Sequence, residues 1–170
     1  SVEVSLKGFR ALGSRSAAPP DDFGGELRKG PVFGSVTAPD GDTAAPAWPT
    51  YRHDGARSCA TEAAIPAELD HQWRTSLGGD LTSPVLANGR LIVSRKDTHS
   101  VHALDADSGE TLWSFTAGGT VDSPPTVERG RVVFGSTDGW VYCLRARDGR
   151  LAWKFHAAPG DRQIVARGQV

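Results

Sequence analysis

The chain has 170 residues, a formal net charge of −1 and 38% hydrophobic residues, enough for one domain with a modest core. The balanced charge argues against a nucleic-acid partner, because a phosphate backbone is met by a clear Lys/Arg excess. Gly (20) and Pro (11) are abundant, favouring a turn-rich all-β chain over a helical bundle, and no apolar run approaches the ~20 residues of a membrane-spanning helix.

The opening SVEVSLKGFR has no initiator Met and no charged-then-apolar leader, so the chain reads as an internal piece of something longer. Residues 2–6 alternate apolar and polar, as the end of a preceding strand would. Residues 13–46 are rich in Gly, Ala, Ser, Pro and Asp, with few apolar residues among them: Phe23, Leu27, Val32, Phe33 and Val36. Such a stretch cannot offset its ordering entropy, so residues 1–47 are read as a linker or the tail of a preceding region.

Residues 48–72 read as a lead-in to a repeat that occupies residues 73–170. Trp73, Trp113 and Trp153 are spaced by 40 and 40. Gly78-Gly79 returns as Gly118-Gly119, Ser83-Pro84 as Ser123-Pro124, Leu104 as Leu144 and Gly109 as Gly149. Asn88-Gly89-Arg90-Leu91-Ile92-Val93 matches Arg129-Gly130-Arg131-Val132-Val133-Phe134 at an offset of 41, a one-residue slip later recovered in a turn. The copies are 73–112, 113–152 and a partial 153–170. Four strands are predicted in each complete copy: 83–86, 91–94, 101–105 and 111–115, then 126–127, 132–135, 140–144 and 151–155, with turns at Asn88-Gly89, Gly109, Gly130, Asp138-Gly139 and Gly149. The central strands are apolar on consecutive residues, as strands buried on both faces are. Four-stranded antiparallel sheets repeated side by side predict an all-β fold, a partial β-propeller with a mostly irregular N-terminal segment. A sandwich would lack the fixed period, and a leucine-rich horseshoe would need a shorter one.

Within the first copy, Ala103-Leu104-Asp105-Ala106-Asp107-Ser108-Gly109-Glu110-Thr111-Leu112-Trp113 carries Ala-x-Asp-x-x-Ser-Gly-x-x-x-Trp. The pattern resembles the tryptophan-docking motif of PQQ-like propeller repeats, a family that includes quinoprotein alcohol dehydrogenases and BamB-type outer-membrane assembly lipoproteins. The second copy keeps Gly149 and Trp153 but has Cys143 for Ala, Arg145 for Asp and Asp148 for Ser. The segment from Trp48 to Ser58 resembles the lead-in to a first blade, and Cys59 stands where Gly commonly follows. The structural signature is therefore Trp73, Ala103, Asp105, Ser108, Gly109, Trp113, Asp148, Gly149 and Trp153. In it Gly supplies positive φ, Asp or Ser caps the turn, and Trp buries its ring against the neighbouring blade, worth about 2–3 kcal/mol per joint.

No catalytic or metal constellation emerges. Asp105-x-Asp107-x-Gly109 is similar to the start of a calcium loop, but position 12 is Thr116, and the spacing suits a hairpin turn. His99 and His102 lack further zinc ligands. His53-Asp54 has no nucleophile signature beside it. Trp140 and Tyr142 share a strand face; they could stack a quinone or a sugar, or pack between blades. Arg129, Arg131, Arg145, Arg147 and Arg150 read as a solvated rim, with a binding role the alternative. Cys59 and Cys143 read as free thiols, Cys143 buried within a strand, with a disulfide between them the alternative.

The leading functional expectation is a non-catalytic propeller module that binds or scaffolds, its partners being the remaining blades or another protein, with no cofactor evident. The alternatives are part of a PQQ-dependent dehydrogenase, which would bring PQQ and calcium in blades outside this chain, and a sensor array fused to another domain. The resemblance implies a periplasmic or otherwise extracytoplasmic location.

Overall fold

The structure, a computed structural model, describes residues 25–36, 47–61, 63–64 and 67–157. Among the described residues, nine strands form two antiparallel sheets. After β1 (Leu27–Lys29), the first sheet runs β2 (Val85–Ala87), β3 (Arg90–Arg95), β4 (Ser100–Asp105) and β5 (Thr111–Thr116), each paired with its sequence neighbour. The second repeats the plan with β6 (Thr126–Glu128), β7 (Arg131–Gly135), β8 (Trp140–Arg145) and β9 (Leu151–His156), and adds β1 beside β9. These are the eight predicted strands, with ends moved by no more than two residues, and the all-β, propeller-type reading stands.

The reason lies in the alternation of turn chemistry and apolar runs. Asn88 and Arg129, with φ of 53° and 47°, occupy the left-handed region beside Gly89 and Gly130 and close the tight β2–β3 and β6–β7 hairpins. Ile92, Val93, Val101, Ala103 and Leu104 of the first sheet are buried, as are Val132, Phe134, Cys143 and Leu144 of the second. Their consecutive burial fits sheets covered on both faces. The main core lies between the sheets, where Ile92, Val101, Ala103 and Trp113 meet Val127, Val132, Phe134, Tyr142 and Leu144. Phe134 stacks on Tyr142 at 5.4 Å, and Phe115 meets both rings edge-on.

The copies share a finer irregularity. The β4–β5 register shifts between Ala103 and Leu104, and the β8–β9 register shifts between Cys143 and Leu144. The extra residue is Leu112 in one blade and Ala152 in the other, forty positions apart.

Within the segment read as a linker, residues 27–36 are ordered onto the second blade. Leu27, Arg28 and Lys29 pair with Phe155, Lys154 and Trp153. All three are exposed, so backbone pairing, not apolar burial, places this strand. Val32 and Val36 then turn inward and are buried. The reading of residues 2–6 as a strand end lies outside the described residues.

Candidate functional site

The repeat signature converges on the joint between consecutive blades. Trp113, near the middle of β5, is 8% exposed, and its indole N–H donates to the Ala146 carbonyl at 2.9 Å. The ring lies flat against the turn of the next blade: a Cβ on Gly149 would stand 2.6 Å from Cδ2 and from Cε3. Gly149 has φ of +68°, so both sterics and backbone conformation exclude a side chain. Trp73 precedes the first sheet and lies in no strand, yet its indole does the same to the first blade. It donates to Ala106 O at 2.9 Å, and a Cβ on Gly109 (φ +73°) would meet Cε3 at 2.4 Å. Thr75 adds a hydroxyl bond to Gly109 O at 2.7 Å. Each Trp thus reaches 33 residues ahead to a carbonyl and 36 ahead to a glycine. Trp153 holds the place of Trp113 in β9, pairs with Cys143, and packs with Val133, Ala152, Val32 and Val36.

The two glycine turns are held by different chemistry. In the first, Asp105 Oδ1 accepts from the backbone N–H groups of Asp107 and Ser108 and from the Ser108 hydroxyl, which holds its carboxyl below the usual range. In the second, the carboxylate has moved three positions on. Arg145 donates Nε to Asp148 Oδ1 at 2.9 Å and Nη2 to Oδ2 at 2.5 Å, a bidentate pair that lowers the Asp148 pKa. The two departures from the first copy therefore compensate each other. Arg145 is buried, which corrects its reading as part of a solvated rim; Arg129, Arg147 and Arg150 are exposed, and Arg131 is half-buried with Nη2 3.5 Å from Val36 O.

The remaining candidates are engaged in the framework. His99 takes φ of +55° at the β3–β4 turn, and its carbonyl accepts from Ala117 N–H. His102 Nε2 bonds the Ser100 hydroxyl at 2.8 Å, and burial lowers its pKa. His53 packs edge-on against Trp48 at 5.0 Å, and its Nδ1 is 3.6 Å from Asp54. Asp54 caps Ser58 through both N–H and hydroxyl. Tyr142 is buried between the blades and donates to Asp138 at 2.5 Å; burial first, then that bond, pushes its pKa up to about 12. Trp140, half-buried, is faced by Lys154 Nζ at 4.3 Å and Arg28 Cζ at 4.9 Å from the ring centroid. Both thiols are free: Cys59 is exposed, and Cys143 is buried with its pKa pushed up to about 11.

The Asp105 carboxylate is committed to its turn, Tyr142 is covered by Phe134, and among the described residues no three His, Cys, Asp or Glu side chains gather as a metal site. Sequence reasoning missed the Arg145–Asp148 pair, whose hint was the exchange of charge between the copies. It also missed Leu27, Val32 and Val36, whose isolated apolar character carries no period.

The family model described as outer membrane protein assembly factor BamB, of the PQQ-repeat type, matches residues 33–170. The chain belongs to this family. It is 35% identical over 105 residues to the outer membrane protein assembly factor BamB of Burkholderia pseudomallei, covering 60% of this chain and 27% of that protein. It is 31% identical over 97 residues to the dehydrogenase subunit of a quinone-type alcohol dehydrogenase from Gluconobacter oxydans, covering 51% and 13%. The crystal structure of quinohemoprotein alcohol dehydrogenase from Comamonas testosteroni matches 70% of this chain and 20% of its own, with a TM-score of 0.57 at 23% identity, a likeness of fold. The chain thus spans about a quarter or less of the length of these relatives.

Proposed function

We propose that this chain is part of a non-catalytic PQQ-like propeller that works as a binding or scaffold module outside the cytoplasm. The observation that carries the reading is the use made of the signature. Trp73, Gly109, Trp113 and Gly149 are committed to joints, and Asp105, Ser108 and Asp148 to the turns those joints rest on. A serial array of this kind supplies a stiff, extended surface, which is what a scaffold requires. The likeness to an outer membrane assembly factor supports a protein partner in outer-membrane assembly and a periplasmic setting.

The likeness to quinone-type alcohol dehydrogenase favours a second reading, a piece of a dehydrogenase whose cofactor groups lie in other blades. One experiment separates the two. The protein encoded by the complete reading frame is incubated with PQQ and calcium, and quinone absorbance and alcohol-dependent dye reduction are recorded. In parallel it is cross-linked in its native envelope and probed for outer-membrane assembly proteins. The scaffold reading expects a cross-link to such a protein and no turnover. Stoichiometric quinone with alcohol-dependent turnover overturns it.

A further inference from the structure

The face of the first blade that carries Ile92, Ala103 and Trp113 is covered by the second blade. The corresponding residues of the second blade are Val133, Cys143 and Trp153, at offsets of 41, 40 and 40. By the logic of the repeat this is where a third blade would dock. It is already occupied: Val32 (4% exposed) and Val36 (9%) close over Cys143, Ala152, Val133 and Trp153.

The contact includes features that set the second copy apart. Gly30 N–H donates to Ala152 O at 2.8 Å, and a Cβ on Gly30 would lie 2.2 Å from Leu151 O, so only glycine permits the approach. The bulge residue beneath is Ala152, 2% exposed, where the first blade has Leu112, 45% exposed. Arg145, standing where the first copy has Asp105, reaches toward Ser35 Oγ at 3.5 Å. Arg131 reaches toward Val36 O at the same distance. Small for large at the bulge and Arg for Asp at the turn both accommodate residues 30–36.

We propose that residues 30–36 are an intramolecular cap that competes with a third blade for the joint face of the second. Two bodies cannot fill one face, so docking of the third blade expels the cap. The inference stands whatever the array binds.

The buried Cys143 thiol reports the occupancy, in a Cys59→Ser background. In the 170-residue chain, Val32→Asp with Val36→Asp is expected to speed alkylation of Cys143 by about tenfold or more, because the thiol loses its cover. Ser35→Ala, which removes the cap's own bonds to Val32 O and Arg145 and leaves the Arg145–Asp148 turn intact, is expected to act in the same direction. The chain is then extended by a copy of residues 133–156 after Val170, because Val165 to Val170 matches Val127 to Val132, and this completes a four-stranded third blade in phase. With the native cap, amide exchange in residues 32–36 is expected to rise by about tenfold. With Val32→Asp and Val36→Asp, Cys143 is expected to regain protection. Cys143 equally reactive in the extended and unextended Asp variants, or a cap as protected in the extended chain as without the extension, overturns the proposal.

Discussion

Trp113 and Gly149 can be tested against each other. Trp113→Ala removes an 8%-exposed indole and its bond to Ala146 O. Truncating a buried Trp costs about 3–5 kcal/mol, and stranding the carbonyl adds about 1 kcal/mol. Gly149→Ala imposes a left-handed cost of about 1–2 kcal/mol at φ +68°. It also drives a methyl to 2.6 Å from the ring, an overpacking worth a further 1–3 kcal/mol or so. With the ring gone the methyl meets no ring, and only the backbone cost remains. The double variant is therefore expected to be more stable than the sum of the singles by about 1–3 kcal/mol. Urea unfolding of all four proteins, followed by circular dichroism with comparable m-values, measures the cycle. Additivity within about 0.5 kcal/mol would mean that ring and glycine do not touch, and the docking geometry would be refuted.

Cys59 has φ of +56° in a loop where Arg52, His53 and Arg57 are also left-handed. Cys59→Gly is expected to stabilise by about 0.5–1 kcal/mol in thermal unfolding, since Gly bears no Cβ penalty there. Arg145→Ala is expected to lower the melting temperature, and Arg145→Asp with Asp148→Ser to recover part of the loss by recreating the first copy's turn chemistry. Asp105 and Asp148 both have lowered pKa values in the folded chain. Their contribution is complete above the unfolded carboxylate pKa of about 3.9 and is lost as pH falls through the lower folded values. His102, lowered by burial, adds its own acid sensitivity. The unfolded state takes up the proton first, so stability declines as pH drops below about 6.5 toward the folded value. His102→Gln should flatten that part of a pH-dependent urea titration, and an unchanged profile would rule the group out.

Why the strands were legible and the cap was not comes down to what each is held by. Leu91-Ile92-Val93 and Val132-Val133-Phe134 are continuous apolar runs closed by turns with positive-φ glycines, so local pattern and global packing demand the same structure. The Trp period is legible for a related reason: a ring of that size needs the same hole each time, and the hole recurs because Gly109 and Gly149 recur. Residues 27–29 have nothing of the kind. Leu27, Arg28 and Lys29 are all exposed, and any three residues with free N–H and C=O groups could pair with the edge of β9. Val32 and Val36 bury two side chains, too few to stand out in a stretch dominated by Gly, Ala, Ser and Pro.

What a sequence read one copy at a time loses can be recovered by reading the differences between copies. The apolar positions that build each sheet vary little between the two. The sharpest exchanges are Asp105 for Arg145, Ser108 for Asp148 and Leu112 for Ala152, and all lie on or beside one turn. In the first blade, Asp105 and Ser108 satisfy a turn covered by Trp73, while Leu112 stays 45% exposed. In the second, the turn is covered by Trp113 but must also admit residues 30–36 from the other side. A carboxylate at 145 would offer no donor to the Ser35 hydroxyl, whose own proton goes to Val32 O, and a leucine at 152 would press into the cluster that Ala152 forms with Val32 and Val36. The departures from the repeat are thus the positions where the second blade meets something the first does not. In a periodic chain, the residues that break the period mark the contacts that are not periodic.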